Sequence, residues 1–277
     1  MTPSSQRILV VTPTLGDSPF LDETVQSVSV QSANIVHVIV APAEKLLSLQ
    51  ARFPNAHVGA DQGKTGGIYG ALNAGLAAAP GGWDWFTYIN DDDALLPGFS
   101  AMAAREIDAS GPADVAYGDV ELIDEEGRRI SCVTTERRPG WIPALVQQGI
   151  SPLIQQGMLF RRALVERLRG FNTRYRLCAD LDFWLRAYAD SARFRFHRAR
   201  VARFRLRRGQ LSGNTAITEF EQAEIVARHL PCAVSPARKM IARLRYRWCN
   251  LPRYVARVRS RGFYTSYELL KTGEVRR

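Results

Sequence analysis

Apolar and polar positions alternate along the first hundred residues in blocks, short β-branched runs separated by stretches whose apolar residues recur every three or four positions. Arg7-Ile8-Leu9-Val10-Val11-Thr12 is an apolar run closed by Pro13 and Gly16, which predicts a strand buried on both faces and ending in a loop. Leu21, Val25 and Val28 then fall at helical spacing over Asp22 to Gln31. A second strand is predicted at Ile35 to Val40, a helix from Glu44 to Arg52, a weak strand at Ala56 to Gly59, and a helix holding Ala71, Leu72, Leu76 and Ala77. A fourth strand, Trp85 to Ile89, delivers Asn90-Asp91-Asp92-Asp93. Strand and helix alternating over short links predict an α/β fold, a mostly parallel central sheet flanked by helices.

The pattern then loosens. Val115 to Val120 and Arg129 to Val133 read as two strands joined across Asp124-Glu125-Glu126-Gly127. Trp141 to Gln148 is a short helix, Gln155 to Phe160 a strand, Arg162 to Arg169 a helix closed by Gly170, and Ala179 to Ala189 another helix. Arg193 to Arg205 alternates Arg with apolar residues as a strand does, and Ala216 to His229 is a last well-patterned helix. Past Pro236, Ile241, Leu244, Trp248, Leu251, Val255 and Val258 step by three or four, interrupted by Pro252, with Arg between them, which predicts one or two amphipathic helices. We therefore expect an α/β domain over 1–231 and a basic helical extension over 232–277.

Composition adds bounds. The 277 residues are 46% hydrophobic and 23% charged, ordinary for a globular chain with a sizeable core. Cys132, Cys178, Cys232 and Cys249 form no Cys-x-x-Cys pair, which argues against a disulfide framework and a zinc cluster and fits a reducing cytoplasm. No leader-like segment and no apolar run of spanning length is present, so the expected location is cytoplasmic, with peripheral contact at the inner membrane face as the extension's sharper reading. The net charge of +10 is uneven: Arg193 to Arg208 holds eight Arg and no acid, Arg238 to Arg261 nine Lys/Arg and no acid, so the remainder is net acidic. The extension is read either as a stripe packed on the first domain or as a docking surface for an anionic membrane. Nucleic acid is not expected, because no recognised module accompanies the charge.

Three adjacent carboxylates repel one another unless a cation or several donors lie among them. Hard oxygen ligands suit Mg²⁺ or Mn²⁺, which bind through one or two carboxylates plus a substrate's phosphates. The other reading of Asp91 to Asp93 is an acidic turn capping the helix that begins near Gly98. The loop Lys64-Thr65-Gly66-Gly67-Ile68-Tyr69-Gly70 sets glycines before a helix, an arrangement suited to phosphate or sugar oxygens and equally to a plain turn. Asp180 and Asp182 open a later helix. Asp180 is the better placed to face a cleft, and Asp182 to cap or pair with Arg186.

The order of Pro13-Thr14, Gly67-Ile68-Tyr69-Gly70-Ala71-Leu72-Asn73-Ala74-Gly75, Ile89-Asn90-Asp91-Asp92-Asp93, Gln156-Gly157-Met158-Leu159-Phe160-Arg161-Arg162, Gly170-Phe171-Asn172 and Ala179-Asp180-Leu181-Asp182-Phe183-Trp184-Leu185-Arg186 resembles the family 2 glycosyltransferases of the GT-A fold, from about Arg7 to His229. The resemblance implies an inverting transferase using a nucleotide-diphosphate-sugar donor (UDP-, GDP- or dTDP-sugar) and a glycan or lipid-linked glycan acceptor, in cell-surface polysaccharide or glycolipid synthesis. It implies Asp180 as general base, Asp92 as ligand of Mg²⁺ or Mn²⁺ with Asp93 in support, and Asp91 as a contact to the donor's ribose or sugar. Thr12, Pro13, Thr14, Lys64, Gly67, Tyr69 and Asn73 are the other donor-side candidates. Gln155 and Gln156, Asp182, and Arg207 or Arg208 are candidates for the acceptor or a phosphate, although Arg203 to Ser212 reads equally as a solvated edge strand guarded by charge. The sequence departs from the family in Ala41-Pro42-Ala43-Glu44, which lacks the usual base-reading acid after the second strand, and in Gly70, where relatives often carry Asp. A sugar-1-phosphate nucleotidyltransferase would want a glycine-rich signature after the first strand, which Val11 to Gly16 does not supply. A non-catalytic binding protein of the same fold would need neither the acid triplet nor Asp180.

Overall fold

The computed structural model describes residues 6–61, 66–207, 210 and 215–261. Its first half follows the predicted alternation: β1 (Ile8–Pro13), α1 (Leu21–Ser29), β2 (Ile35–Ala41), α2 (Leu46–Arg52), β3 (His57–Ala60), α3 (Gly67–Ala78) and β4 (Trp85–Tyr88). These four strands are parallel in the order β3-β2-β1-β4. The chain therefore reverses its direction of growth between β1 and β4, and a crevice opens beyond their carboxyl ends.

The second half is β5 (Ala94–Leu95), α4 (Pro97–Ile107), β6 (Val115–Ile123), β7 (Arg129–Val133), α5 (Ile142–Val146), β8 (Leu159–Arg161), α6 (Arg162–Arg167), α7 (Ala179–Ala189), β9 (Phe194–Arg205), α8 (Thr215–His229), α9 (Pro236–Cys249) and α10 (Leu251–Arg261). One sheet runs β3-β2-β1-β4-β8-β6-β9-β5, with β7 on β6. The expectation of a mostly parallel sheet holds for the first four strands and for the long β6–β9 pair; β4–β8, β8–β6, β6–β7 and β9–β5 are antiparallel.

Two further expectations change. The strand predicted from Gln155 starts at Leu159, since Gly157 takes a left-handed φ of 76° in a turn closed by Met158 N–H to the Gln155 carbonyl, 2.9 Å. The arginine-rich β9 is no edge strand: it lies between β6 and β5. Its residues 199–201 run through a slot made by three glycines. A Cβ on Gly98 would lie 2.2 Å from the Arg200 carbonyl oxygen, one on Gly118 2.5 Å from that of Ala199, and one on Gly157 2.8 Å from Val201 Cγ2.

Both faces of the sheet are covered, as the unbroken apolar run of β1 requires. Leu9 and Val11 point to a core shared with Tyr69 and Leu72 of α3 and Phe183 and Leu185 of α7. Ile8 and Val10, one residue out of phase, point to the opposite core with Val28 of α1 and Phe99 and Met102 of α4. Gly75 lets α3 lie directly on β1, where a Cβ would stand 2.6 Å from Val11 Cγ1. Among the described residues no helix is long and apolar enough to cross a membrane.

Candidate functional site

The acid triplet leaves β4 in a tight turn, Asp93 N–H donating to the Asn90 carbonyl at 3.1 Å, and this turn divides the three carboxylates. Asp93 points inward. Buried at 1% exposure, its Oδ1 accepts the Arg205 backbone N–H at 2.9 Å, and its Oδ2 accepts Gln156 Nε2 at 2.8 Å and Asn90 Nδ2 at 3.2 Å. Burial, then the neighbouring Asp92, pushes its carboxyl well above the usual range, and these three donors act in the opposite sense. Asp91 is half-buried at the mouth of the crevice. Thr14, just past β1, donates its hydroxyl to Asp91 Oδ2 at 2.6 Å, and Ser18 Oγ donates to the Asp91 carbonyl at 2.9 Å, so the ends of β1 and β4 are tied across the switch point. Burial raises the Asp91 carboxyl.

The expected alternative role for the triplet, capping the following helix, is overturned. The strand β5 intervenes, and α4 begins at Pro97 with no side-chain cap.

Arg205 is the fixture of this side. Only 1% exposed at the end of β9, it donates Nε to the Asp92 carbonyl at 2.9 Å and Nη1 to the carbonyls of Asp124 and Glu125 at 3.1 Å each. It also pairs with Glu23 and stacks 4.3 Å over Phe20. Two residues on, Arg207 Nε donates to Asp92 Oδ2 at 2.6 Å. Asp91 and Asp92 thus each give Oδ2 to a protein donor, while Oδ1 of each takes none among the described residues. Asn90 Oδ1 is also buried without a partner there. This all-oxygen set fits Mg²⁺ or Mn²⁺ held by one or two carboxylates and completed by phosphate. No group of three or more His, Cys, Asp or Glu side chains that could hold a metal by itself occurs among the described residues.

The second half of the site is Asp180, in the first turn of α7. Its Oδ1 accepts the Leu181 N–H at 2.8 Å and lies 3.2 Å from the Tyr69 hydroxyl, which also reaches the Leu177 carbonyl at 2.9 Å. Burial pushes its carboxyl up to about 6. The side chain lines a cleft of 130 Å³ with Val146, Ile150, Cys178, Trp184 and Gln222. Glu221 of α8 holds this helix start in place by accepting the backbone N–H groups of Arg176, Leu177 and Cys178 at 2.6, 2.9 and 2.9 Å. Tyr88, the last residue of β4, is buried, and burial, then the Asp180 and Asp93 carboxyls, push its hydroxyl well above its usual value.

Several other candidates point into the scaffold. The Asn73 amide grips the Phe171 backbone twice, donating to its carbonyl at 2.8 Å and accepting its N–H at 2.9 Å. Thr12 pairs with His37 Nε2 at 2.9 Å, the ring kept neutral by burial that lowers it to about 4. Gln155 Nε2 donates to the Tyr88 carbonyl at 2.7 Å. Asp182 is fully engaged with Arg186 Nε at 2.7 Å and His229 Nε2 at 2.8 Å, the first being the pair its i+4 spacing predicts. Pro13 closes β1 beside Val40, and Gly67 opens α3 at φ 52° with open space at its Cβ position. Lys64 and Arg208 lie outside the described residues. Sequence reasoning missed Arg205, Glu221 and Tyr88 as parts of the site. The available signals were a buried-phase Arg at the end of a strand and an acid on the inner face of α8.

The pattern of Glycosyl transferase family 2 matches residues 9–169. Over 127 residues the chain is 30% identical to a PGL/p-HBAD biosynthesis glycosyltransferase of Mycobacterium tuberculosis H37Rv, covering 46% of this chain and 45% of that protein, so it spans about half the length of this curated relative. Over 189 residues it is 26% identical to the uncharacterized glycosyltransferase YwdF of Bacillus subtilis, covering 66% of this chain and 69% of that one. Among solved structures, S. aureus TarS 1-349 in complex with UDP-GlcNAc superposes with a TM-score of 0.62 at 19% identity, over 93% of this chain and 75% of that one. The mannosyltransferase PcManGT from Pyrobaculum calidifontis, in complex with GDP-Man and Mn²⁺, gives 0.52 at 16% identity, over 96% and 79%. These likenesses establish the GT-A fold. With the family pattern matched from β1 through α6, more than half of its residues, the chain belongs to glycosyl transferase family 2.

Proposed function

We propose that this chain transfers a sugar from a nucleotide-diphosphate-sugar donor to an acceptor hydroxyl, inverting the anomeric centre in one displacement. The observation that carries the reading is a pair of unlike acidic sites: Asp91 and Asp92 at the switch point, and a single burial-raised Asp180 lining a cleft on α7. Asp91, held by Thr14, contacts the donor's ribose or sugar, and Pro13 and Gly67 remain donor-side candidates. Asp92 holds Mg²⁺ or Mn²⁺, which when bound neutralises charge on the departing diphosphate. Asp93, engaged by three donors, supports that loop from inside, and Arg207 adds a cation for the diphosphate.

On the other side, the Asp180 carboxylate accepts the proton of the acceptor hydroxyl as that oxygen forms its bond to the anomeric carbon. The bond from that carbon to the diphosphate oxygen breaks, and its electron pair leaves with the nucleoside diphosphate. A base near 6 is mostly ionised at neutral pH yet basic enough to take the proton. The complexes of TarS with UDP-GlcNAc and of PcManGT with GDP-Man support a nucleotide-sugar donor. The mycobacterial relative is named for PGL/p-HBAD biosynthesis; a glycan or lipid-linked glycan acceptor in cell-surface glycolipid synthesis is part of this proposal.

The test is Asp180→Asn beside wild type in a screen of UDP-, GDP- and dTDP-sugars with Mn²⁺, read by thermal shift and by product formation. A true donor raises the melting temperature of both proteins, and only wild type turns it over. Equal turnover by the variant would remove Asp180 as base, and no shift with any donor would sink the function.

A further inference from the structure

The helices α9 and α10 have two faces with different fates. Ala242 and Tyr246 are buried against Ala144 and Leu145 of α5, and the Tyr246 hydroxyl donates to the Ser151 carbonyl at 3.2 Å. Asn250, four residues on and 1% exposed, accepts the Thr134 N–H at 3.0 Å and donates to its carbonyl at 2.9 Å. The seat is complete without the apolar stripe predicted from the sequence. Ile241, Leu244, Trp248, Leu251 and Val255 are all exposed, as is Met240, with Trp248 at 76% and Leu244 at 58%. At about 3.6 residues per turn, Met240, Ile241, Leu244, Trp248 and Leu251 fall on one side, roughly opposite Ala242 and Tyr246.

Cations frame this stripe on both edges. By the same helical spacing Arg238 and Arg245 run along one edge, their guanidinium groups each 5.3 Å over the Trp141 ring, and Arg243 and Arg247 run exposed along the other. From 225 to 261 there is no Asp or Glu.

We infer that this face docks on an anionic lipid bilayer. The helix lies along the interface with Leu244 and Trp248 in the boundary between headgroups and acyl chains, and Arg243 and Arg247 meet lipid phosphates, while Arg238 and Arg245 stay on Trp141, Arg245 also pairing with Glu136 at 3.5 Å. The charge pattern selects this occupant. A second copy of the chain would set Arg243 and Arg247 against their own copies along a stripe that carries no acid. A nucleic acid would satisfy the arginines and leave a continuous apolar stripe in water. A bilayer with anionic headgroups covers both.

Sedimentation of the full chain with vesicles tests the assignment, using phosphatidylcholine alone and phosphatidylcholine with about one third phosphatidylglycerol. Wild type is expected to bind the anionic vesicles at least about tenfold more tightly than the neutral ones, and less well as salt rises. The double variant Leu244→Glu/Trp248→Glu loses about tenfold or more of that binding, with an unchanged circular-dichroism melt showing that the fold is intact. Arg243→Glu/Arg247→Glu loses the preference for anionic over neutral lipid. Equal binding to both vesicle types, or wild-type binding by the Leu244/Trp248 variant, overturns the assignment. So does a dimer that the same variant converts to monomer without any vesicle binding, which gives the face to a second copy instead.

Discussion

Replacing Asp180 by Asn separates catalysis from stability, because the two respond in opposite directions. Asn preserves Oδ1 as the acceptor for Leu181 N–H and the Tyr69 hydroxyl. What it removes is an ionisable carboxyl that burial raises from 3.8 to about 6. A carboxyl raised on folding binds its proton more tightly in the native state. Its contribution to stability is therefore fully present below about pH 3.8 and lost as pH rises through about 6. The shift of about 2 units corresponds to about 3 kcal/mol of native-state destabilisation at neutral pH, an upper bound because Asp180 keeps partial access to its cleft. Roughly half of it is already in force at pH 5, where the unfolded carboxyl is ionised and the folded one is not. Asp180→Asn is accordingly expected to be more stable than wild type, by a margin that widens by about 1 kcal/mol between pH 5 and pH 7.5. Urea denaturation of both proteins at the two pH values measures it, with equal m-values as the check on two-state behaviour. The reasoning is refuted if the variant is less stable at both pH values or if the margin does not change with pH.

The same carboxyl predicts that kcat/KM falls with unit slope below about pH 6, and Tyr69→Phe, which removes a donor that favours the ionised form, should move that limb to higher pH. An unmoved limb would detach Tyr69 from the base. Asp92→Ala should weaken Mn²⁺-dependent nucleotide binding by about tenfold or more in calorimetry, and unchanged affinity would return the metal assignment to Asp91 or to no protein ligand. Arg205→Met should cost about 3–5 kcal/mol in chemical denaturation, since it leaves the Asp92, Asp124 and Glu125 carbonyls without their buried donor. A loss below about 1 kcal/mol would mean the acid loop holds itself.

The parallel half of the sheet was legible because strands buried on both faces write themselves as unbroken apolar runs, and Ala179–Ala189 because its helical period has no competing pattern. Legibility stopped where structure depends on distant partners. The two residues of β5 are too few to carry a period, and nothing local tells that Gly157 takes a left-handed turn just before β8. The alternating arginines of β9 look like an edge's defence, yet the strand is interior because the glycines at 98, 118 and 157 open a slot for it. In the triplet, adjacency suggests three similar carboxylates, whereas one tight turn sends Asp93 inward onto three donors, leaves Asp91 half-buried at the mouth and puts Asp92 under Arg207. On α9, the eye follows the large apolar residues, but the seating face is a small Ala242 with a partly polar Tyr246 and an Asn250.

The bond from Arg205 to Asp93 spans 112 residues, and it orders events in time as well as in space. During synthesis the three carboxylates leave the ribosome long before Arg205, whose backbone N–H donates to the Asp93 carboxylate and whose Nε donates to the Asp92 carbonyl, so the nascent loop lacks both bonds until β9 is made and placed between its neighbours. The span that matches the family pattern ends at residue 169 and contains neither Arg205 nor Asp180. Cut out by itself, it would carry the acids without the arginine that binds them down. The domain boundary useful for expression thus lies well beyond the boundary that sequence similarity draws.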